Sequence, residues 1–248
     1  MSGHSKWSQI KRQKGVTDAK RGQVFTRLAR EISVAARSGG GPDPNANFRL
    51  RLAIQRARES NMPMENVDRA IKRGAGGADG AVLEEVTYEG YRPGGAPKQV
   101  EAKTDNRNRT ASDIRNAFAK GGGNLGESGS VAWIFEAKGV ITIEPGKRDP
   151  EEIALLAIDG GAEDVKPDVD AFEVYTEPSD MEKVRKSLED QRVSITSAEV
   201  LMQPKTSVFL KEKEAVQALK LVDRLEELDD VQKVYFNADF ESDVLEQV

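Results

Sequence analysis

The stretch Phe25-Thr-Arg-Leu-Ala-Arg-Glu-Ile-Ser-Val-Ala-Ala-Arg37 carries two patterns at once. Its apolar residues recur at steps of three and four, which predicts an α-helix with one buried stripe. We place this helix at about residues 18–38, with Gly39 as its stop signal. Four basic residues fall roughly opposite the stripe, and we expect them on the solvent face. They are Lys20, Arg27, Arg30 and Arg37.

Two shorter helical patterns follow this helix. Apolar residues at the same period predict a second helix at about residues 46–60. A third helix is predicted to hold Pro63 in its first turn and to end at Gly74. Three short helices joined by short loops can close a small bundle, so the first part of the chain is predicted to be a helical domain.

Charge is divided unevenly along the chain. Residues 1–75 contain 16 Lys and Arg against 6 Asp and Glu, whereas residues 76–248 contain 21 against 36. The sign changes at the Gly-rich linker 74–80, where we place a domain boundary. A separate basic module indicates a polyanionic partner, and nucleic acid is the expected one. The alternative is that two oppositely charged faces of the protein attract each other.

The acidic remainder alternates strands and helices. Strands are predicted near 82–88 and 99–103, and a helix at about 110–120 opens with the capping-box pair Thr110 and Asp113. A strand follows near 131–135. The run from about 139 to 201 then has the order β-α-β-β-α-β, which is typical of the ferredoxin-like fold. Its helices are predicted to start at Asp149 and Ser179. The first and last strands of that fold are neighbours, so the unit can be inserted into another domain.

The last predicted elements are a strand near 206–210, an acidic helix at about 212–228 and a strand at 231–236. We expect them to complete the sheet that begins near residue 82. The predicted fold class is therefore α+β: an N-terminal three-helix domain followed by two α/β domains, the second ferredoxin-like and inserted into the first. The predicted domains are 1–75 with an arm at 1–16, 81–137 plus 205–248, and 138–204.

Several classes of function are disfavoured by composition. The chain has no cysteine and a single histidine, so thiolate and multi-histidine metal sites are excluded. No apolar run approaches the roughly 18 residues that cross a bilayer. The Gly-x-Gly-x-x-Gly match at Gly121–Gly126 follows a predicted helix and precedes a strand, the wrong context for a dinucleotide. We expect a cytoplasmic protein that is not an enzyme and binds no cofactor, metal, membrane or small-molecule substrate.

The predicted nucleic-acid contacts are basic residues of the arm and the first helix, together with one aromatic residue and one histidine of the arm. Arginine suits phosphate because its planar fork bonds two oxygens. Trp7 can stack on an unpaired base, or else it packs onto the bundle. Arg107 and Arg109 form a second basic cluster, which contacts either a polyanion or nearby acids. The full set is His4, Lys6, Trp7, Lys11, Arg12, Lys14, Lys20, Arg21, Arg27, Arg30, Arg37, Arg107 and Arg109.

Several longer motifs resemble those of one known family. They include Gly3-His-Ser-Lys-Trp7, Asp18-Ala-Lys-Arg-Gly22, Tyr88-Glu-Gly-Tyr91, Thr104-Asp-Asn-Arg-Asn-Arg-Thr110 and Gly122-Gly-Asn-Leu-Gly-Glu-Ser-Gly-Ser130. On these motifs the chain resembles the YebC/PmpR family, although Arg92 stands where that family usually has glycine. The resemblance implies the three-part fold. It also implies one of two functions: a DNA-binding transcriptional regulator or, as for the mitochondrial translational activator of cytochrome c oxidase, a ribosome-associated translation factor.

Three functions therefore stay open at this point. A translation factor would bind RNA and ribosomes, a transcriptional regulator would bind duplex DNA, and a protein-interaction module would use the acidic domains. The sequence shows no helix-turn-helix signature with a base-reading helix. Basic residues on a helix and an arm, with one aromatic residue, suit backbone and single-strand contacts better. We therefore favour RNA.

Overall fold

A computed structural model of the chain describes residues 18–38, 40–76, 83–92, 95–144, 148–167, 172–241 and 244. The helices of this part are α1 Asp18–Ser38, α2 Phe48–Glu59, α3 Met64–Gly74, α4 Arg107–Lys120, α5 Pro150–Gly160, α6 Met181–Asp190 and α7 Glu212–Glu226. The strands are β1 Glu84–Tyr91, β2 Lys98–Thr104, β3 Asn124–Leu125, β4 Phe135–Glu144, β5 Asp164–Pro167, β6 Phe172–Thr176, β7 Ser194–Pro204, β8 Val208–Phe209, β9 Val231–Phe236 and β10 Ala238–Asp239. The chain divides into two compact units, residues 135–205 and the remainder.

Helices α1 to α3 form the predicted bundle, and the apolar stripe of α1 is its core. Ile32 and Ala35 of α1 are fully buried against α2 and α3. Asn47 caps α2 by accepting a hydrogen bond from the Leu50 N–H at 3.0 Å. The buried amide of Asn47 also donates to the Ala35 carbonyl at 2.8 Å, so one side chain starts α2 and ties it to the end of α1. Pro63 precedes α3 at the N-cap position, without a capping side-chain hydrogen bond, and does not lie in the first turn of the helix.

The first sheet has the strand order β3-β1-β2-β9, and all its pairs are antiparallel. Strand β9 joins β2, so the C-terminal part of the chain completes the sheet that begins at β1, as predicted. Helices α4 and α7 share one core with β2 and β9, built around side chains such as Phe118, Leu219 and Val234. The strand predicted at 206–210 is only the two-residue β8, which pairs with β10 in a separate parallel ribbon.

The cap of α4 differs from the prediction. The helix starts at Arg107, because the side chain of Asn106 accepts the Arg109 N–H at 3.1 Å. The Thr110 hydroxyl is used elsewhere: it lies 2.8 Å from the Thr104 hydroxyl and 2.5 Å from an Asp230 carboxylate oxygen. An asparagine one turn earlier therefore took the capping role, and the threonine became part of a tertiary contact.

The unit of residues 135–205 has the predicted ferredoxin-like order. Its antiparallel sheet runs β5-β6-β4-β7, so its first and last strands are neighbours. The strand predicted at 131–135 is replaced by a short 3-10 helix, Ala132–Ile134, followed by β4 as one continuous strand. Asp149 caps α5 as predicted, accepting the Glu151 N–H at 3.0 Å. Helix α6 starts at Met181 and not at Ser179. The fold class is confirmed.

A lysine lies inside the first sheet. Lys98 is fully buried at the start of β2, and its ammonium group donates a hydrogen bond to the Ala96 carbonyl at 3.1 Å. Burial, with a smaller contribution from the Arg92 charge, lowers the pKa of Lys98 from 10.5 to about 8. The folded state therefore disfavours the charged form that an unfolded lysine keeps at neutral pH.

Replacing Lys98 by methionine should raise the free energy of unfolding at pH 7 by about 2 kcal/mol, because methionine fills the site without burying a charge. The gain should shrink as the pH rises from about 8 to 10.5, because the unfolded chain then still binds a proton that the folded protein has released. Urea unfolding at pH 7 and pH 10 measures both effects. The exposed Lys120→Met is the control, and an equal gain in it would contradict the explanation.

Candidate nucleic-acid interface

Part of the predicted interface lies outside the residues that the structure describes. His4, Lys6, Trp7, Lys11, Arg12 and Lys14 lie outside the described residues, as do the side chains of Lys20 and Arg21. Their nucleic-acid contacts stay predictions. By contrast, the structure describes the predicted residues Arg27, Arg30 and Arg37 of α1 and Arg107 and Arg109 of α4.

The prediction that Arg27 and Arg30 face solvent is wrong. Arg30 forms a salt bridge with Asp230 at 2.8 Å, in which the two side chains are 18% and 8% exposed. Its guanidinium also donates to the Asp229 carbonyl. Two turns earlier in α1, the Gln23 side chain donates to the Glu227 carbonyl at 3.3 Å. The face of α1 opposite its apolar stripe therefore packs on the segment that joins α7 to β9.

Arg27 lies in the same contact. Burial lowers the pKa of its guanidinium, and the charges of Glu226, Asp229 and Asp223 counteract that effect. The buried Nε of Arg27 has no hydrogen-bond partner among the described residues. Two of the arginines assigned to phosphate thus face acidic groups of the same chain. This is the alternative left open above, in which the two oppositely charged parts attract each other.

Asp230 is the centre of that contact. Its carboxylate accepts hydrogen bonds from the Thr110 hydroxyl at 2.5 Å, the Thr104 hydroxyl at 3.2 Å and Arg109 at 3.1 Å, in addition to the salt bridge with Arg30. Burial by itself would raise the pKa of Asp230. The bonds from Thr110 and Arg109, with the nearby arginine charges, outweigh burial and hold that pKa below its ordinary value.

The second basic cluster, at the start of α4, is also paired with acids. Arg109 bonds Asp105 at 2.8 Å as well as Asp230. Arg107 lies 3.5 Å from a Glu84 carboxylate oxygen, with two-thirds of its side chain exposed. Its carbonyl accepts the Tyr88 hydroxyl at 3.1 Å. Both arginine side chains reach solvent, and each has at least one carboxylate neighbour.

A different set of cations is available at one end of the bundle. Arg37, Arg51, Lys72 and Arg73 are exposed, and we call these four residues the basic end. They have no ion-pair partner in the described part of the chain, although Arg51 lies over the Phe48 ring at 5.5 Å. Of these four residues only Arg37 was predicted. The signal for the others was a run of basic residues in α2 and in the last turn of α3.

Close packing of helix ends brings the basic end together. The Ser33 hydroxyl donates to the Ala70 carbonyl at 2.8 Å. A β-carbon on Gly74 would lie 2.2 Å from the Ser33 carbonyl oxygen and 2.9 Å from the Ala36 β-carbon, so only glycine allows α1 and α3 to approach this closely. Arg37 directly follows Ala36 in the chain, and Arg73 directly precedes Gly74, so this contact brings both arginines to the same end of the bundle. The Asn47 cap brings the start of α2 to the same end.

The Gly121–Gly126 loop has the context that the sequence indicated. Gly121 caps the C-terminus of α4, Gly122 has a left-handed φ of 72°, and the loop leads into β3.

The described residues contain no group of three or more His, Asp or Glu side chains positioned to hold a metal. Among the same residues, no helix has the length and apolarity needed to span a membrane.

Comparisons with known proteins settle the family. The model of the TACO1/YebC N-terminal domain matches residues 5–77, and that of the second and third TACO1/YebC domains matches residues 83–238. The chain belongs to the TACO1/YebC family. This confirms the resemblance drawn from the sequence motifs. A crystal structure of a conserved hypothetical protein from Aquifex aeolicus is similar to the chain, with a TM-score of 0.82 and 48% identity, covering 90% of this chain and 92% of that one.

Bacterial TACO1/YebC relatives are similar over their whole length. A protein of Dehalococcoides mccartyi is 57% identical and is covered over 98% of its length, with all of this chain aligned. A protein of Chloroflexus aggregans is 54% identical over 99% of its length, again with all of this chain aligned. Both relatives carry the name probable transcriptional regulatory protein.

Replacing Arg30 by alanine should destabilise the protein, because it leaves the largely buried Asp230 carboxylate without one of its charged donors. We expect the free energy of unfolding to fall by about 2 kcal/mol. Arg37→Ala, on the same helix, should change it by less than about 0.5 kcal/mol. Chemical denaturation of both variants tests this, and equal stabilities would mean that the Arg30 contact does not contribute.

Proposed function

We propose that this TACO1/YebC protein is a non-enzymatic regulator of gene expression that acts in the cytoplasm by binding nucleic acid, with RNA of the ribosome as its partner. The observation that carries the proposal is the basic end of the bundle. Four exposed cations lie at this end of a small domain, and the basic segment 1–16 precedes the same domain in sequence.

Charge pairing supports the basic end over the predicted face of α1. Arg27 and Arg30 already face carboxylates of the same chain, so a phosphate would have to displace those groups. The basic end has no such competitor in the described residues, and each of its cations can neutralise a phosphate and release counterions. Arg37, Lys72 and Arg73 also lie in the last turns of their helices, where positive charge stabilises the helix dipole by about 0.3–1 kcal/mol per residue.

RNA is favoured over DNA by the nature of these contacts. The cations stand at helix ends, where they can reach phosphates. Irregular RNA surfaces are recognised largely by shape and backbone contacts. The N-terminal arm adds Trp7, which can stack on an unpaired base.

The second candidate is a transcriptional regulator that binds duplex DNA. It is favoured by the names of the relatives from Dehalococcoides mccartyi and Chloroflexus aggregans. The same basic end would then contact the DNA backbone. Such phosphate contacts would position the protein on the duplex but carry no sequence information by themselves.

Replacing Arg37, Lys72 and Arg73 together by alanine should weaken binding to every RNA tested, by at least tenfold at moderate salt. The slope of log affinity against log salt should fall by about one per lost phosphate contact. The matched control is Lys211→Ala, Lys213→Ala and Lys220→Ala, which removes the same charge from exposed positions of the acidic part. If the control loses as much affinity, only net charge matters and the basic end is not the interface.

Sedimentation of a cell lysate on a sucrose gradient separates RNA from DNA as the partner. The wild-type protein should migrate with ribosomes, and RNase or high salt should release it. The triple variant of the basic end should stay at the top of the gradient while the lysine control migrates with ribosomes. Absence of wild-type protein from the ribosomal fractions, with retention on duplex DNA, would favour the transcriptional alternative.

A further inference from the structure

A second buried carboxylate, after that of Asp230, fixes the loop between α4 and β4. Glu89 of β1 is 4% exposed, and its side chain accepts three backbone N–H groups: Gly129 at 2.6 Å, Val131 at 2.6 Å and Ala132 at 2.8 Å. Its own carbonyl accepts the Gly126 N–H at 2.8 Å. Charge-assisted bonds of this kind are about twice as strong as neutral ones. They hold an otherwise glycine-rich surface loop in one conformation.

The anchored loop presents an aromatic side chain to solvent. Trp133 lies in the 3-10 helix that begins at the residues bound to Glu89, and it is 71% exposed. Its indole N–H donates to the Ser130 carbonyl at 3.1 Å, so the ring is held in place while its faces stay accessible. A tryptophan is costly to expose, because its large apolar surface contacts water. A fixed and exposed indole therefore indicates a binding role.

A second exposed aromatic borders the same loop. Tyr91, at the end of β1, is 46% exposed. A β-carbon on Gly126 would lie 2.6 Å from the Ser130 hydroxyl and 3.5 Å from the edge of the Tyr91 ring. Tyr91 and Ser130 thus both lie close to Gly126, and Trp133 bonds Ser130, so the two aromatic residues border the same loop.

Positive charge accompanies the aromatic pair, although this part of the chain is acidic. Arg92 follows Tyr91, and its Nε lies 3.6 Å from where a β-carbon on Gly122 would stand. Its guanidinium is positioned by the Gln217 side-chain oxygen. Exposed Lys120 ends the helix just before the loop. Glu127 is the acidic residue of the loop itself.

We propose that Tyr91 and Trp133 form a stacking surface for unpaired bases of single-stranded RNA, with Arg92 beside them for the phosphate backbone. This inference rests on the proposed function and adds a second contact to it. The basic end binds phosphates of any strand. The aromatic pair selects strands whose bases are free, since bases inside a duplex offer no open face to a side chain.

The RNA class follows from the chemistry of the surface. Stacking on aromatic side chains tolerates every base, because every base has a π-face, and substitution of one such side chain by alanine lowers affinity several-fold or more. Two aromatics beside arginine suit that ligand, and Arg92 can also stack or bind phosphate. A sequence-specific duplex reader would instead need paired donors and acceptors aimed at base edges.

The test compares single-stranded and duplex RNA with the full chain. Fluorescence anisotropy measures affinity for a labelled oligouridine of about twelve nucleotides, a length within the range of single-strand binders, and for a duplex of equal length. Trp133→Ala and Tyr91→Ala should each lower the affinity for oligouridine at least fivefold and that for the duplex less than twofold. Trp133→Phe should keep most of the oligouridine affinity, because phenylalanine retains a ring that can stack.

Phe209→Ala is the matched control, since Phe209 is another exposed aromatic of the same unit, at 62% exposure. It should change neither affinity. Unchanged oligouridine binding by Trp133→Ala, or an equal loss for the duplex, overturns the stacking surface while leaving the proposed function intact. A wild-type protein that binds neither RNA overturns both.

Discussion

The carboxylate of Asp230 is the interaction on which the arrangement of the larger unit depends. It receives Arg30 from the helical bundle, Arg109 and Thr110 from α4, and Thr104 from the end of β2. A buried carboxylate is stable only when its charge is compensated and its lone pairs are bonded. Here the compensating groups come from segments up to 200 residues apart in sequence, so satisfying one side chain fixes the bundle on the sheet.

This contact changes how the charge asymmetry of the chain relates to function. Part of the positive charge of the bundle serves the fold, because Arg27 and Arg30 face the acidic end of α7 and the turn after it. Only the cations without an internal partner are free to bind an external polyanion. They lie at the helix ends and not on the face of α1 that holds Arg27 and Arg30. The proposed interface is therefore at a different place on the bundle from the one predicted, but it still binds phosphate through basic side chains.

Glu89 applies the same principle to a loop. Like Asp230, it is a buried acid satisfied by several donors, but its donors are backbone N–H groups. The long motif that ends at Ser130 is therefore explained by geometry: glycines permit the close approach, and the carboxylate anchors the turn that carries Trp133. Asp230 joins the bundle to the sheet, whereas Glu89 holds the loop that exposes Trp133.

The sequence by itself determined the fold class, the three helices, the ferredoxin-like order and the family, because these depend on local periodicity, cap residues and long motifs. It did not determine which arginines face solvent, because the period of α1 distinguishes the apolar stripe from the opposite face but not water from an acidic segment 200 residues away. The same limit hid the cap exchange between Asn106 and Thr110, the burial of Lys98 and the grouping of Arg37 with Lys72 and Arg73. Each of these depends on a neighbour that only tertiary packing supplies.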